Sequence, residues 1–279
     1  MRIFRSISEM QDWSSVEHLA GNSIGFVPTM GALHHGHAEL FSQSVKENTR
    51  TVVSIFVNSL QFNNASDLEA YPRQLEQDQV IAEQKDVDVI FVPTNDEMYP
   101  NGFASSISVG PVAQHMEGLH RPGHFDGVAT VVVKLLNAVM PDAAYFGRKD
   151  FQQLAVIRSV VRDLNIKCNV RGVPTVRNGM GLALSSRNSR LSTNRLEQAS
   201  IIYALLNDMA NQARSSETST LTLQNQFNDR MKSVSGTKVE YVEVVDSDSL
   251  LPATTAQKGT TICVAVWFDD VRLIDNISI

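Results

Sequence analysis

The sequence predicts an α/β fold, a parallel sheet flanked by helices with a smaller α+β domain behind it, and three observations carry that prediction. Short apolar, β-branched runs such as residues 51–57 (TVVSIFV) alternate with stretches of helical period, the pattern of parallel βαβ units. At 279 residues, the chain is long enough for one large core or for a main domain with a smaller partner. Past Gly172-Val173-Pro174 the style changes to a polar loop, then helices, then alternating strands.

The elements follow in order. Residues 23–27 (SIGFV) read as a strand, and 38–48 (AELFSQSVKEN) as a helix with Leu40, Phe41, Ser44 and Val45 on one side. The run 51–57 is nearly continuous in hydrophobicity, as a strand covered on both faces should be. Tyr71-Pro72 introduces a helical stretch to Lys85, and 87–92 (VDVIFV) is the next strand. A helix over 128–139, a strand over 143–146 and a helix over 150–164 repeat the rhythm. A polar loop at 177–194, helices over about 195–234 and strands at 238–245 and 261–267 complete the chain. The boundary falls near residue 176, giving a Rossmann-like domain over 1–176 and a smaller α+β domain over 177–279.

Composition excludes several classes. A formal net charge of −6, with Lys and Arg thinly spread, argues against a nucleic-acid surface. The two cysteines, Cys168 and Cys263, lack metal-type spacing and suggest neither a disulfide framework nor a metal site, which fits a reducing, cytoplasmic setting. The start has no apolar signal core. The longest apolar stretch, 127–140, is interrupted by Lys134 and too short to span a bilayer, so no membrane role is expected.

In an open parallel sheet, ligands collect at the carboxyl ends of the strands. Residues 28–37 (PTMGALHHGH) occupy such an end, entering the first helix, where unpaired N–H groups and the helix dipole favour phosphate. Gly31 and Gly36 let a bulky anion approach the backbone. The P-loop and dinucleotide glycine patterns are both absent. His34 and His37 are three apart and share one side of an incipient turn, while His35 points roughly 100° away from His34. The outer pair can hydrogen-bond phosphate and stabilise charge on departing pyrophosphate, although a pair so placed can also merely cap or pack.

This segment resembles the His-x-Gly-His signature of the nucleotidyltransferase superfamily related to class I aminoacyl-tRNA synthetases. The longer string is similar to the pantoate–β-alanine ligase family. Further matches are SIFVNSLQF at 54–62, DLEAYPRQLEQD at 67–78, RPGHFDGVATVVVKLLN at 121–137, FGRKDFQQLAVIRSVVRDL at 146–164, GVPTVRNGMGLALSSRNSRLS at 172–192, and the terminal VRLIDNISI.

The resemblance implies a cytoplasmic, homodimeric ligase of pantothenate biosynthesis. It would activate pantoate with ATP as an adenylate, release pyrophosphate, then join β-alanine through an amide bond and release AMP. It implies catalytic roles for His34, His37, Lys149 and Arg187. ATP would lie along Met30, Gly31, Ala32, Leu33, His34, His35, Gly36 and His37, with Gly147, Arg148, Lys149 and Asp150 by the ribose and phosphates. Val176 and the Leu184-Ser185-Ser186-Arg187 loop would complete the nucleotide site, making the histidine segment one half of a phosphate clamp. Gln61 and Gln153 would read pantoate, with Gln61 also near β-alanine, and Met30 and Asn58 would help shape that pocket. Mg2+ is expected with ATP rather than in a protein cage. By analogy Asp78 is a candidate outer ligand, although an acid on a helix is ordinarily part of a solvated face. The loop 120–125 is a candidate cover or subunit contact.

Four departures stand out: His35 in place of the usual Glu, Ser59 of Pro, Arg148 of Glu and Met180 of Asp. None removes a proposed substrate-touching side chain, so retained activity with altered constants is expected. Two other readings are a different nucleotidyltransferase of the same superfamily and a noncatalytic nucleotide-binding regulator.

Overall fold

The computed structural model describes residues 1–63 and 68–279; Asp67, at the head of the stretch 67–78, lies outside the described residues. It divides into two compact units. The first comprises Met1–Gly110, Arg121–Arg148 and Val156–Pro174, and the second Pro111–His120, Lys149–Ala155 and Thr175–Ile279. Residues 111–120 and 149–155, which sequence reading assigns to the first domain, thus group with the second.

The first unit contains a parallel six-stranded sheet in the order β1-β4-β3-β2-β5-β6. Its strands are β1 (Arg2–Phe4), β2 (Ile24–Thr29), β3 (Arg50–Ile55), β4 (Val89–Phe91), β5 (Ala143–Gly147) and β6 (Asn169–Val173). The helices α1 (Ile7–Leu19), α2 (His35–Glu47), α3 (Leu75–Glu83) and α4 (His124–Val139) connect them, and α5 (Phe151–Asp163) links β5 to β6. Strand order reverses between β2 and β5, so the segment after β2 emerges at a switch point, where ligands gather in such sheets.

Packing explains the placement of α2. Leu40 and Phe41 bury against Val27, Val53 and Tyr145, and burying such side chains is worth about 1.5–3 kcal/mol each. Gly25 in β2 permits the close approach, because a Cβ there would lie 2.2 Å from Ser44 Oγ.

Sequence reading passes over β1, α1 and β6. The first and last are the sheet's short edges, where half-exposed residues carry no continuous apolar run. The signal for α1 is its capping box: Ser6 Oγ accepts the Glu9 N–H at 3.3 Å and the Glu9 carboxylate accepts the Ser6 N–H at 3.2 Å.

In the second unit α6 (Thr193–Ala199), α7 (Ile201–Ser215) and α8 (Thr220–Met231) supply Ala199, Leu206, Leu223 and Phe227 to a core shared with one face of an antiparallel sheet. That sheet runs β11-β10-β8, with β8 at Thr237–Asp246, β10 at Thr260–Phe268 and β11 at Val271–Ser278; β7 (Thr218–Ser219) and β9 (Thr255–Ala256) form a small separate pair. Tyr241, Val245 and Cys263, on the other face, pack with Val112, Met116, Phe151 and Ala155. The polar loop expected over 177–194 is more ordered than its composition suggests. Arg177 bridges Ala183, the Leu184 N–H donates to the Val176 carbonyl at 2.9 Å, and Ser186–Arg190 forms a 3-10 turn. No helix among the described residues is long and apolar enough to cross a membrane.

Candidate active site

The chain leaving β2 turns through two successive left-handed residues, Gly31 (φ +81°) and Ala32 (φ +51°). The turn directs two amides onto one carboxylate: Ala32 N–H donates to Asp78 Oδ2 at 3.1 Å and Leu33 N–H to Asp78 Oδ1 at 2.8 Å. The Gly31 N–H donates to Thr29 Oγ1, whose own proton goes to the Ser54 carbonyl. A Cβ on Gly31 would lie 2.9 Å from Asp78 Oδ2, so conformation and space both require glycine. Asp78 is 1% exposed, which corrects its reading as a solvated helix face. Burial raises its pKa, against the lowering effect of the Leu33 and Ala32 amides.

His34 is the N-cap of α2, and its Nδ1 accepts the Gly36 N–H at 3.0 Å. His37 returns the gesture, its Nδ1 accepting the His34 N–H at 3.3 Å, and the ring centroids stand 4.1 Å apart. With both Nδ1 atoms acting as acceptors, the proton of each neutral ring resides on Nε2. The pair therefore caps the helix and keeps an N–H donor on each ring. Both histidines are half-buried, while His35 is exposed.

In the 3-10 turn Ser59–Gln61 that follows β3, Gln61 is buried, not a solvated surface amide. Its Oε1 accepts from Asn58 Nδ2 at 3.0 Å, and its Nε2 meets Met30 Sδ at 3.0 Å. Asn58 also donates to the Gly127 carbonyl and accepts from the Tyr99 hydroxyl at 2.6 Å. Burial pushes the Tyr99 hydroxyl pKa well up, keeping it a donor. The Gln61 carbonyl accepts from His124 Nδ1 at 2.8 Å and Arg121 Nη2 at 3.3 Å, while Arg121 Nη1 meets His124 Nε2 at 3.1 Å. Thus Arg121 and His124, read from sequence as a cover or subunit contact, brace the Gln61 backbone. Sequence reading misses Tyr99 altogether, because an isolated tyrosine carries no spacing signal.

Gly147 ends β5, and the following Arg148 is exposed, its Nε donating to the Gly172 carbonyl at 3.1 Å. In the second unit, Lys149 Nζ lies 3.6 Å from Asp150 Oδ1 and its carbonyl accepts Asn276 Nδ2 at 2.8 Å. Gln153 is half-buried in the first turn of α5. Its buried neighbour Gln152 is tied to backbone, accepting the Glu117 N–H and donating to the Val112 and His115 carbonyls. Arg177 grips Asp275 at 2.6 and 2.9 Å and stacks 3.6 Å over the Tyr203 ring. Beyond that hairpin, Ser185 Oγ accepts the Arg187 N–H at 3.3 Å, and Leu184, Ser186 and Arg187 are half-buried. The Arg187 guanidinium pairs with no acid among the described residues. Met180 is 49% exposed at the hairpin tip.

A family model described as pantoate-beta-alanine ligase matches residues 2–278. A pantothenate synthetase from Caldicellulosiruptor saccharolyticus is 43% identical over 277 residues, spanning 99% of both chains. Among solved structures, pantothenate synthetase from Thermus thermophilus is similar with a TM-score of 0.91 and 41% identity, covering 100% of this chain and 99% of that one. A pantoate-beta-alanine ligase from Francisella tularensis, complexed with beta-gamma ATP and beta-alanine, is similar with a TM-score of 0.83 and 36% identity, covering 100% and 97%.

Proposed function

The chain belongs to the pantoate–β-alanine ligase family, and from that premise we infer the chemistry of its residues. It is a ligase that uses ATP to join pantoate to β-alanine through an amide bond, forming pantothenate, AMP and pyrophosphate. The pantoate carboxylate attacks the α-phosphorus, the bond to the bridging oxygen breaks, and pyrophosphate leaves a pantoyl adenylate. The β-alanine amine then attacks the acyl carbon, AMP departs with the acyl-phosphate bond pair, and the ammonium proton passes to solvent.

This reaction needs no protein nucleophile; placement and neutralisation of phosphate charge supply the catalysis. The observation that carries the reading is the His34–His37 pair, whose Nδ1 atoms are held by backbone so that each Nε2–H is a donor for phosphate oxygens. His37 supports pyrophosphate departure and His34 assists. Lys149 serves as a compact cation and Arg187 as a bidentate one. Met30 to Leu33, His35, Gly36, Gly147, Arg148, Asp150, Val176, Leu184, Ser185 and Ser186 make up the remaining ATP contacts, Gln61 and Gln153 read pantoate, and Gln61 also serves β-alanine.

Mg2+ accompanies ATP as part of that substrate. Asp78 accepts one amide on each oxygen, from Ala32 and Leu33, which gives it a structural task in the turn. Homodimeric assembly and a cytoplasmic location are further parts of this proposal; sedimentation tests the first.

The decisive assay incubates the protein with Mg-ATP and pantoate, with and without β-alanine. We expect about one equivalent of pyrophosphate per site without β-alanine, and sustained AMP and pantothenate with it. Absence of pantoate-dependent pyrophosphate from folded protein rejects the mechanism, and turnover of ATP with another acceptor alone favours a different nucleotidyltransferase.

A further inference from the structure

The terminal VRLIDNISI motif is not used by the reaction as described, yet two adjacent residues within it reach both charged segments of the second unit. β11 pairs with β10 over residues 271–278, so successive side chains alternate between faces. Val271 and Leu273 enter the core shared with α6, α7 and α8, and Asp275 has the same parity. There it holds Arg177 by two hydrogen bonds, at 2.6 and 2.9 Å, with only 4% of the Asp275 side chain exposed. Arg177 also donates to the Gly181 carbonyl and bridges Ala183, so it roots the hairpin that runs into Ser185 and Arg187.

Asn276 has the opposite parity, shared with Arg272. Arg272 grips Glu117 at 2.7 and 2.8 Å, and the Glu117 N–H in turn donates to Gln152, one turn from Lys149. Asn276 Nδ2 donates directly to the Lys149 carbonyl at 2.8 Å. The Asn276 N–H also donates to Asp275 Oδ1 at 2.8 Å, linking the two anchors.

We propose that Asp275 and Asn276 are positioning residues, which fix the Lys149 segment and the Arg187 loop relative to one another from opposite faces of a single strand. This rests on the roles given above to Lys149 and Arg187. Neither Asp275 nor Asn276 touches substrate; they act through the backbone of one cation and the hairpin of the other. Displacement of a charge-stabilising group by about 1 Å costs roughly 10²-fold in rate, so such anchoring has a kinetic signature.

A double-mutant cycle tests the proposal. Asn276→Asp preserves size but presents an oxygen to the Lys149 carbonyl, and Asn276→Ala is the second variant should the first not fold. Each is made in the wild-type and Lys149→Met backgrounds, with pantoate-dependent pyrophosphate release and thermal midpoint measured for all. In the wild-type background we expect kcat to fall about tenfold or more with the KM for pantoate within about twofold, and in Lys149→Met the same substitution to change kcat by less than about twofold. An equal fold-loss in both backgrounds overturns the proposal, whether or not the midpoint falls. No pyrophosphate from the folded wild-type protein overturns instead the functional reading on which it rests.

Discussion

Asp78 and Leu33 are 45 positions apart, yet Asp78 Oδ1 accepts the Leu33 N–H at 2.8 Å while its second oxygen accepts the Ala32 N–H. A carboxylate on α3 thus closes the turn that delivers His34 to the start of α2.

Replacing Asp78 therefore disturbs the turn before it disturbs the fold. Asp78→Asn retains one acceptor but aims an NH2 group at the second amide, at a cost of about 1–3 kcal/mol for the unsatisfied buried groups. We expect an unfolding free energy from urea titration lower by that amount and pyrophosphate formation slowed about tenfold or more; unchanged values for both would reject the closing role.

The histidines separate capping from chemistry. His34→Ala removes the cap and the Nε2 donor together, with about 0.5–2 kcal/mol lost from stability. His34→Asn keeps a capping oxygen, so its thermal midpoint should stay near wild type while adenylate formation still slows. His37→Ala should slow that step about 10²-fold or more, and exposed His35→Ala should leave it within about twofold. Comparable losses at His35 and His37 contradict the assignment.

Gly127 reverses an ordinary rule. Within a helix, Gly→Ala usually stabilises by about 1 kcal/mol. Here the added Cβ would stand 2.3 Å from the Leu60 carbonyl oxygen, pushing α4 away from the turn that carries Gln61. Gly127→Ala should lower the midpoint and raise the KM for pantoate; a more stable, fully active variant would refute this account.

Tyr145 supplies a pH signature. Burial, reinforced by its hydrogen bond to Glu47, pushes its hydroxyl pKa from 10 up to about 12. Between those values the folded chain keeps a proton that the unfolded chain releases. The contribution of Tyr145 is thus complete below pH 10 and declines toward pH 12 by about 1.4 kcal/mol per unit at most. Stabilities of wild type and Tyr145→Phe, measured by urea titration, should converge across that interval, and parallel curves would exclude the effect.

The central strands and the spaced histidines were legible because each writes its role into neighbouring residues: apolar runs for buried strands, and a three-residue spacing before a helix. The same histidine segment also carried the alternative that such a pair caps, and the structure shows that capping role. Asp78 was illegible because its partners are backbone amides 45 and 46 positions away, contacts with no sequence period. β11 was passed over since Asp275 falls on its apolar face, in line with Val271 and Leu273, and only folding reveals the Arg177 partner that lets that carboxylate be buried. Gln61 and Gln152 make the same point: buried amides look identical to solvated ones until their partners are known.

The Asn276–Lys149 hydrogen bond spans 127 positions, with an order of events built into it. During synthesis the parallel sheet can assemble on the emerging nascent chain well before β11 leaves the ribosome, since domains form roughly from the N-terminus. The lysine's carbonyl must wait for that strand. The seat of Lys149 is thus completed by a strand made more than a hundred residues later, whereas the turns around the histidines close between near neighbours.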